Sequence, residues 1–391
     1  MKIVNLLTPA LLFMLLACDI ADNQADPAAS FSKIYDDERF EIEYYPLSII
    51  QTSDDGYLIL SEVKNDISSF TSAYVLKLSP EGEVEQATLM PDPIGLPVGE
   101  WSVINDRYYF IGMNTTTLLA QLIAVEVDGT VGEPQTIGTT YPLAAKQDGN
   151  NILLLSFDNQ DANSVLSMVS SDGTITQQAE YTIGAGVDVE KPIIDHLTRN
   201  GPKLPFAVGN SDNGYYFNGL FNYTFSMVFT NFGDDPTGVC QGQLSLGGIS
   251  AVHRLNGNNY AVSRYNFGAS YINPIVQINS NAVTSSVDLG GNTFPEIESE
   301  AVVAIRENTD LGVVVYGTQT NSRRIVLYGY ASDNGEITGT QYLGAGNPYL
   351  FIDFTFTNDG GIAILSQVAL EGRFPRIALF KREAGFVKKL N

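Results

Sequence analysis

AYVLKLSPEGEV, residues 73–84, decides the fold of this chain. It contains a run of alternating apolar residues, a tight turn that includes Gly82, and a further apolar residue, Val84. Alternation of this kind predicts a half-buried strand, and glycine supplies the positive φ that a tight hairpin turn requires. The segment therefore predicts two antiparallel strands joined by a short turn.

The same hairpin pattern recurs along the chain. Further copies are LIAVEVDGTV (122–131), SVLSMVSSDGTI (164–175), PIVQINSNAV (274–283), RIVLYGYASDNGEI (324–337) and RIALFKREAGFV (376–387). Residues 225–239, FSMVFTNFGDDPTGV, fit a seventh copy with an enlarged turn. The predicted turn residues of the other copies are Gly129, Gly173, Asn281, Gly335 and Gly385. The spacing from Gly82 to Gly385 corresponds to a period of about 50 residues.

A second pattern, an Asp, Asn or Gly turn before a short β run, precedes the hairpins. It occurs in QTSDDGYLILSEV (51–63), AKQDGNNILLLSF (145–157), RLNGNNYAVSRY (254–265), RENTDLGVVVYG (306–317) and TNDGGIAILSQV (357–368), with weaker versions at 102–111 and 207–219. The two patterns together predict an all-β protein: a β-propeller over residues 39–391, with seven blades of four antiparallel strands. Two β-sandwiches or a β-solenoid are the alternatives. The period is too long for a solenoid rung and too regular for two sandwiches.

Two of these segments resemble the degenerate propeller repeat of exported bacterial proteins. They are SDDGYLIL followed by SAYVLKLSPEGEV, and NDGGIAIL followed by RIALFKREAGFV. In that repeat a DGG-like turn precedes one strand, and a lysine-bearing strand leads into a glycine hairpin. The resemblance covers most of residues 45–390 and implies architecture alone, since its motifs specify no ligand. Trp101 is the only tryptophan, so the recurring tryptophan positions of the quinoprotein-type propellers in outer-membrane assembly lipoproteins are missing.

The N-terminus resembles the signal peptide of a bacterial lipoprotein. An apolar run follows Lys2 and ends in Leu15-Leu16-Ala17-Cys18, which matches a lipobox. The run is shorter than the roughly 20 residues that a membrane-spanning helix needs, as expected for a signal peptide. We expect residues 1–17 to be removed and the thiol of Cys18 to carry lipid. An ordinary secretory signal with an incidental cysteine is the alternative.

Residues 18–38 are predicted to be an acidic, flexible tether between the lipid and the propeller. The protein is therefore expected in the cell envelope, held at a membrane by its lipid. The acidic stretch after Cys18 favours the outer membrane or the cell surface, whereas Asp19 leaves the inner membrane open.

The charge and the scarcity of metal-binding side chains limit the partners. The chain has 44 acidic and 21 basic residues, a formal net charge of −23, which opposes binding to nucleic acid. Its two histidines, His196 and His253, lack zinc-site spacing, and Cys240 is the one cysteine besides Cys18. Cys240 is expected to be small and buried. No cofactor and no metal are predicted.

Candidate binding residues lie in the loops between blades and between middle strands, around the central channel, where propellers bind ligands. Aromatic and basic side chains there can stack on sugar rings or anchor a protein partner. These candidates are Trp101, Arg264, Tyr265, Tyr271 and Arg323, with Phe267 and Arg373 in the same loops. Packing between blades is the alternative role for each.

Acidic residues and one histidine complete the candidate set. Glu296, Glu298 and Glu300 alternate along the chain, so in an extended strand they would share one face about 7 Å apart and offer a cation site or an acid/base pair. A solvated acidic loop is the alternative. His196 follows Asp195 in GVDVEKPIIDHL, and no Gly-x-Ser-x-Gly motif marks a nucleophile.

No catalytic residue is assigned from these patterns. The sequence predicts a membrane-anchored lipoprotein that acts as a binding or scaffolding module for a protein or glycan partner. A glycan-acting hydrolase or lyase that uses the acidic residues of the same face is the alternative.

Overall fold

The computed structural model describes residues 29–36, 43–64, 70–184, 190–198, 204–243, 247–294, 296–299, 301–369 and 374–391. The predicted signal peptide and Cys18 lie outside these ranges, as do Glu300 and Arg373. Nearly all regular secondary structure of the described chain is β-strand, arranged as seven four-stranded antiparallel blades.

The first three blades follow one another directly. Strand β1 (Phe31–Tyr35) precedes them and belongs to the last blade. Blade 1 consists of β2 (Glu43–Gln51), β3 (Tyr57–Lys64), β4 (Ser72–Leu78) and β5 (Val84–Leu89). The short strand β6 (Ile94–Gly95) joins it to blade 2, which consists of β7 (Ser102–Ile104), β8 (Arg107–Asn114), β9 (Leu119–Val125) and β10 (Gln135–Thr140). Blade 3 consists of β11 (Pro142–Asp148), β12 (Asn151–Asp158), β13 (Asn163–Ser170) and β14 (Ile175–Thr182).

Helix α1 (Glu190–Thr198) comes between blades 3 and 4. Blade 4 consists of β15 (Ala207–Asn210), β16 (Tyr215–Phe221), β17 (Thr224–Thr230) and β18 (Gly238–Gln241). Blade 5 consists of β19 (Gly247–Asn256), β20 (Asn259–Asn266) and β21 (Ala269–Gln277); after the crossing strand β22 (Val283–Ser285) and a 3-10 helix (Ser286–Leu289), β23 (Asn292–Thr293) completes it.

Blade 6 consists of β24 (Ala304–Asn308), β25 (Val313–Gln319), β26 (Ile325–Ala331) and β27 (Ile337–Leu343). Blade 7 takes β28 (Tyr349–Phe356), β29 (Ile362–Ala369) and β30 (Pro375–Arg382), after which α2 (Ala384–Val387) and a 3-10 helix (Lys388–Leu390) end the chain.

The ring is closed by the two ends of the described chain. Strand β1 pairs antiparallel with β30, with Phe31 opposite Lys381 and Tyr35 opposite Ile377, and so supplies the outer strand of blade 7. The inner strand of blade 1, β2, packs against β28, β29 and β30. The prediction of a β-propeller with seven four-stranded blades is therefore confirmed.

The position of β1 corrects the predicted tether, which included residues 31–35. Phe31, Lys33 and Tyr35 alternate on the half-buried face of β1. The Tyr35 hydroxyl donates to the Gly82 carbonyl oxygen at 3.0 Å, and the Phe31 ring lies edge-on to Tyr57. Five alternating residues are a weak local pattern, and the strand that pairs with them lies at the far end of the sequence.

The turn glycines are mostly as predicted. Gly82, Gly129, Gly173 and Gly335 have positive φ in the hairpins between third and fourth strands. Gly385 instead lies in α2, because β1 occupies the place that a local fourth strand would take.

The hairpin predicted at 274–283 is also wrong in its second half. After Asn281 the chain crosses to blade 4, where β22 pairs parallel with β18 rather than antiparallel with β21. The strand exchange depends on a long-range partner, which the local pattern does not reveal.

The blades present two different ends. Connections between second and third strands, and from one blade to the next, lie at one end of the ring, which we call the loop face. Turns between first and second strands, and between third and fourth strands, lie at the opposite end, the turn face. Successive antiparallel strands reverse direction, so every blade has the same arrangement.

A buried ion pair recurs on the turn face of blades 1 and 7. Lys77 Nζ donates to both carboxylate oxygens of Asp54 at 2.8 Å, and Lys381 Nζ donates to Asp359 Oδ2 at 2.6 Å. Both lysines are at most 1% exposed. Each aspartate also accepts a backbone hydrogen bond from the glycine two residues later. One ion pair therefore joins the DG turn to the lysine-bearing strand in the two repeats that carry the sequence resemblance.

Candidate functional site

Trp101 lies directly before β7 but is enclosed by the fold. The side chain packs in the apolar core between blades 1 and 2, edge-on to Phe110 with ring centres 5.6 Å apart. It is 6% exposed, so its indole contributes packing at the start of the inner strand.

His196 fastens α1 to the chain that enters blade 4. Its Nδ1 accepts the backbone N–H of Leu204 at 3.0 Å, and its ring lies edge-on to Phe206. The neighbouring Asp195 points to solvent and pairs with Lys191 one turn earlier. On α1, His196 therefore faces the fold while Asp195 faces solvent.

Arg264 and Tyr271 contact each other near the loop face of blade 5. They are opposite one another on β20 and β21, with the Arg264 guanidinium 3.9 Å from the centre of the Tyr271 ring. Arg264 Nε donates to the Gly290 carbonyl oxygen at 2.6 Å, which holds the segment that leads into β23. Tyr265 is half-buried and faces Gly248 of β19. All three side chains thus have contacts within blade 5.

Glu296 is directed at the tyrosines of blade 6. Its carboxylate accepts hydrogen bonds from the Tyr328 hydroxyl at 2.5 Å and the Tyr342 hydroxyl at 3.1 Å. Burial, together with the Glu296 carboxylate, raises the pKa of both tyrosines above the ordinary value.

Glu298 has partners different from those of Glu296. It accepts from Gln319 Nε2 at 2.5 Å and lies 3.6 Å from Arg323 Nε. Between the two glutamates, Ile297 is buried and forms an antiparallel bridge with Thr320. Glu300 lies outside the described residues, so the row of three carboxylates stays a prediction.

Exposed aromatic residues stand at two neighbouring hairpin tips of the loop face. Phe267, between β20 and β21, is 70% exposed, and Tyr223, between β16 and β17, is 50% exposed. Both have positive φ, 47° and 67°. Two-residue hairpin turns of this kind favour Asn and Gly, and a bulky residue at positive φ is a conformational outlier. Local backbone geometry therefore does not explain these aromatic side chains. Phe267 was among the candidates from the sequence, whereas Tyr223 was not. The sequence FNYT at residues 221–224 could have indicated a hairpin turn with an aromatic residue at its tip.

A second set of polar side chains lies along the central channel, on or beside the inner strands. One pair is tight: Arg306 Nη2 lies 2.7 Å from Asp353 Oδ1, and Asp353 also accepts the Ile49 backbone N–H at 3.2 Å. These contacts connect the inner strands of blades 6, 7 and 1.

Two other pairs in the channel are loose. Lys146 Nζ lies 4.0 Å from Glu100 Oε1, and His253 Nε2 lies 3.9 Å from Glu307 Oε2. Neither distance is a hydrogen bond. The four side chains are between 23% and 38% exposed, so each retains accessible surface.

Electrostatic interactions between these groups cross the channel. Burial lowers the pKa of His253 to about 4, and the positive charges of Lys146 and Arg306 act in the same direction. Lys146 belongs to blade 3 and His253 to blade 5, so the two groups act on each other across the channel. His253 is therefore neutral at pH 7.

The sequence patterns did not identify these polar side chains of the channel as candidates. His253 lies on the inner strand β19 of blade 5. Lys146, Arg306 and Glu307 stand just before the first turn of their blades, within segments used only as turn patterns. Their position at the end of a predicted inner strand was the sequence pattern that could have identified them.

Other chemistry has little support in the described ranges. They contain no group of three or more His, Cys, Asp or Glu side chains that could hold a metal ion. Cys240 is buried, as predicted, and burial raises the pKa of its thiol to about 11. Helices α1 and α2 are too short to cross a bilayer.

Comparisons with known proteins give likeness of fold. No family model matches the chain, and no curated protein matches it. Among solved structures, the β-propeller domain of the Trilobed protease from Pyrococcus furiosus has 8% identity and a TM-score of 0.48, over 88% of this chain and 96% of that chain. The WD40 domain of Toxoplasma gondii coronin has 10% identity and a TM-score of 0.48, over 90% and 86%.

A third structure, the acylaminoacyl peptidase of Pyrococcus horikoshii, has 11% identity and a TM-score of 0.47. The match covers 91% of this chain and 55% of the peptidase chain, so this chain spans about half of it. At such identities and TM-scores these likenesses carry no argument about function. The propeller assignment therefore depends on this chain's own seven blades and on the pairing of β1 with β30.

Proposed function

We propose that this protein is a lipid-anchored binding module of the cell envelope that captures a protein or glycan partner through the loop face of its propeller. The observation that carries the proposal is the pair of exposed aromatic side chains, Phe267 and Tyr223, at positive-φ positions of adjacent hairpin tips. Backbone strain at a surface position suggests a constraint other than local backbone geometry. Rigid, exposed aromatic residues are also frequent anchors of interfaces.

The path of the chain supports the same proposal. Phe31, the first residue of β1, packs over Gly82 in a turn of the turn face. The described chain therefore begins at the turn face, opposite the loop face. If Cys18 carries lipid, the loop face is directed away from the bilayer, where a partner can reach it.

The acidic composition supports attachment of the protein to the membrane through its lipid. A chain with 44 acidic and 21 basic residues gains little from anionic headgroups, which attract basic segments. A single anchored cysteine then accounts for membrane association without a basic patch on the propeller.

The contacts of Glu296 and Glu298 favour binding over glycan hydrolysis. Each carboxylate has its own partner, Tyr328 for Glu296 and Gln319 for Glu298. Hydrolysis requires two carboxyl groups that face one glycosidic bond. Both described carboxylates are instead engaged by side chains of blade 6.

Crosslinking in intact cells, analysed by mass spectrometry, tests the binding role. Phe267→Asn and Tyr223→Asn place a residue that tolerates positive φ at each tip, so the hairpins should fold while the aromatic surface is lost. We expect partner capture to fall at least tenfold in the double variant. Val84→Thr, at an exposed position on the outer strand of blade 1, is the matched control and should capture normally. Unchanged capture by the double variant would overturn the role of the loop face.

Cell fractionation tests the anchor separately. Cys18→Ala should move the folded propeller from the membrane to the soluble fraction. A variant that stays membrane-bound would refute lipidation at Cys18 and leave the loop-face experiment unaffected.

A further inference from the structure

We propose that the central channel binds a small zwitterion, a free amino acid or a dipeptide, between the loose ion pairs of blades 2, 3, 5 and 6. This site is separate from the hairpin tips of the loop face and goes beyond the proposed partner binding.

Four charged or polar side chains of the channel have unused hydrogen-bonding capacity. Within the described chain, the side chains of Glu100, Lys146, His253 and Glu307 make no hydrogen bond, and the two ion pairs that they form are 3.9 to 4.0 Å long. By contrast, Asp353 is saturated by Arg306 and by two backbone N–H groups. A partly buried charge gains most from a partner that completes its hydrogen bonds.

Tyr216 of blade 4 also has an unused hydroxyl group. This side chain is only 2% exposed, and its hydroxyl makes no hydrogen bond within the described residues. It lies beside Gly209 of the inner strand β15, where a Cβ would stand 2.6 Å from the hydroxyl oxygen. The missing side chain at Gly209 therefore lets the phenol hydroxyl lie against the inner strand of blade 4. Burial, and then the neighbouring Tyr260 and Glu100 across the ring, raise the pKa of Tyr216, so its hydroxyl stays a donor.

The arrangement of charges selects the ligand class. Glu100 and Glu307 are carboxylates with unused acceptors, whereas Lys146 and the Tyr216 hydroxyl are donors. A ligand with one ammonium and one carboxylate complements both kinds of group at once. A purely anionic or purely cationic ligand would satisfy one set and leave the other unpaired.

Partial burial of these side chains strengthens this selection. Burial and the positive charges of Lys146 and Arg306 also lower the pKa of His253, so a further positive charge is disfavoured beside it. Charge-assisted hydrogen bonds are stronger in such an environment than at the surface.

Isothermal titration calorimetry on the full propeller tests the proposal. The probes are the free L-amino acids and the dipeptide Gly-Gly, with acetate and methylammonium as ligands that carry one charge each. We expect saturable binding of at least one zwitterion and none of the single-charge ligands. Lys146→Met and Glu307→Gln should each weaken that binding at least tenfold. Lys191→Met and Glu126→Gln remove surface charges and should leave it unchanged.

Thermal unfolding of every ligand-free variant checks that the propeller is intact, and Tyr216→Phe, which keeps the ring, provides a second channel variant. The absence of saturable binding for every zwitterion overturns the proposal. So does binding that Lys146→Met, Glu307→Gln and Tyr216→Phe all leave unchanged, or binding of acetate or methylammonium as tight as that of the zwitterions. None of these results affects the loop-face proposal, because capture of the partner is measured on different variants.

Discussion

Blades 7 and 1, where the ring closes, differ from blades 4 and 5 on the other side of the ring. Blades 7 and 1 have outer strands of five and six residues and share the buried Lys–Asp pair. Blades 4 and 5 have outer strands of four and two residues, and β22 crosses between them. The repeat is regular at the closure and degenerate where the exposed aromatic tips stand.

This difference indicates a division of roles around the ring. Buried Lys–Asp pairs and longer outer strands stabilise blades 7 and 1, where the ring closes. Blades 4 and 5 instead carry Tyr223, Phe267 and His253. Substitutions should therefore reduce stability most at the closure and alter recognition most at blades 4 and 5.

The largest effect is expected at the ion pair of blade 7. Asp359→Ala leaves the buried Lys381 charge without its carboxylate, which should lower the free energy of unfolding by about 3 kcal/mol. Asp172→Ala removes an exposed turn aspartate of blade 3 that bonds Ser170 and Thr174, and it should cost much less. Urea unfolding of both variants makes the measurement. Equal losses would remove the distinction between the closing blades and the rest.

A smaller effect should separate the two added edge strands. Phe31→Ala on β1 removes a ring that packs over Gly82 and Tyr57, so we expect a loss of about 2 kcal/mol. Val283→Ala on β22 affects a 70% exposed side chain and should change stability by less than about 0.5 kcal/mol. If Val283→Ala costs as much as Phe31→Ala in urea unfolding, β22 is as important for stability as β1.

Acid should destabilise the two regions in different pH ranges. The pKa of His253 is about 4 in the folded chain and near 6.5 when unfolded, so the unfolded chain binds the proton first. The free energy of unfolding should therefore fall as the pH decreases from 6.5 to 4, by on the order of 2 kcal/mol. Glu307 lies 3.9 Å from His253 and attracts the protonated ring, which reduces the loss.

The closing blades should respond only at lower pH. Although burial opposes it, the hydrogen bond from Lys77 holds the pKa of Asp54 below its ordinary value, so that stability is lost as the pH falls below about 4. Urea unfolding of His253→Gln and the parent chain at several pH values isolates the histidine. Parallel curves between pH 6.5 and 4 would show that His253 does not titrate as the structure implies.

The smallest effect has the opposite sign and lies at a hairpin tip. Phe267→Asn relieves a bulky residue at φ 47° and should raise the free energy of unfolding by about 0.5 kcal/mol. Asn222→Ala, at φ 42° in the blade 4 tip, should lower it by a similar amount. Differential scanning calorimetry compares the two. A destabilised Phe267→Asn variant would show that the aromatic ring supports the fold.

Much of the fold could be predicted because its pattern is local. Each turn between first and second strands is encoded by Asp, Asn or Gly within a few residues, and all seven occur. The failures at Gly385, at Asn281 and at residues 31–35 share one cause. In each case the strand partner is far away in sequence, so the local pattern cannot identify it.

The candidate site was less predictable, because residue type does not reveal neighbours. His196 and Arg264 have the chemistry of binding residues, yet their contacts within the described structure hold α1 and the segment before β23. Conversely, Lys146 and His253 come from different blades and share no spacing motif. Only the ring brings them to one channel.

The pairing of β1 with β30 also sets an order of events for a newly made chain. Arg382 Nη1 donates to the Phe31 carbonyl oxygen across 351 residues, so the first strand to emerge waits for the last. Contacts between such distant segments form slowly, because a very long loop must close first. We expect blades to form in succession while β1 stays unpaired. A polypeptide that stops before Pro375 then keeps a bare strand edge, so closure distinguishes complete chains from truncated ones.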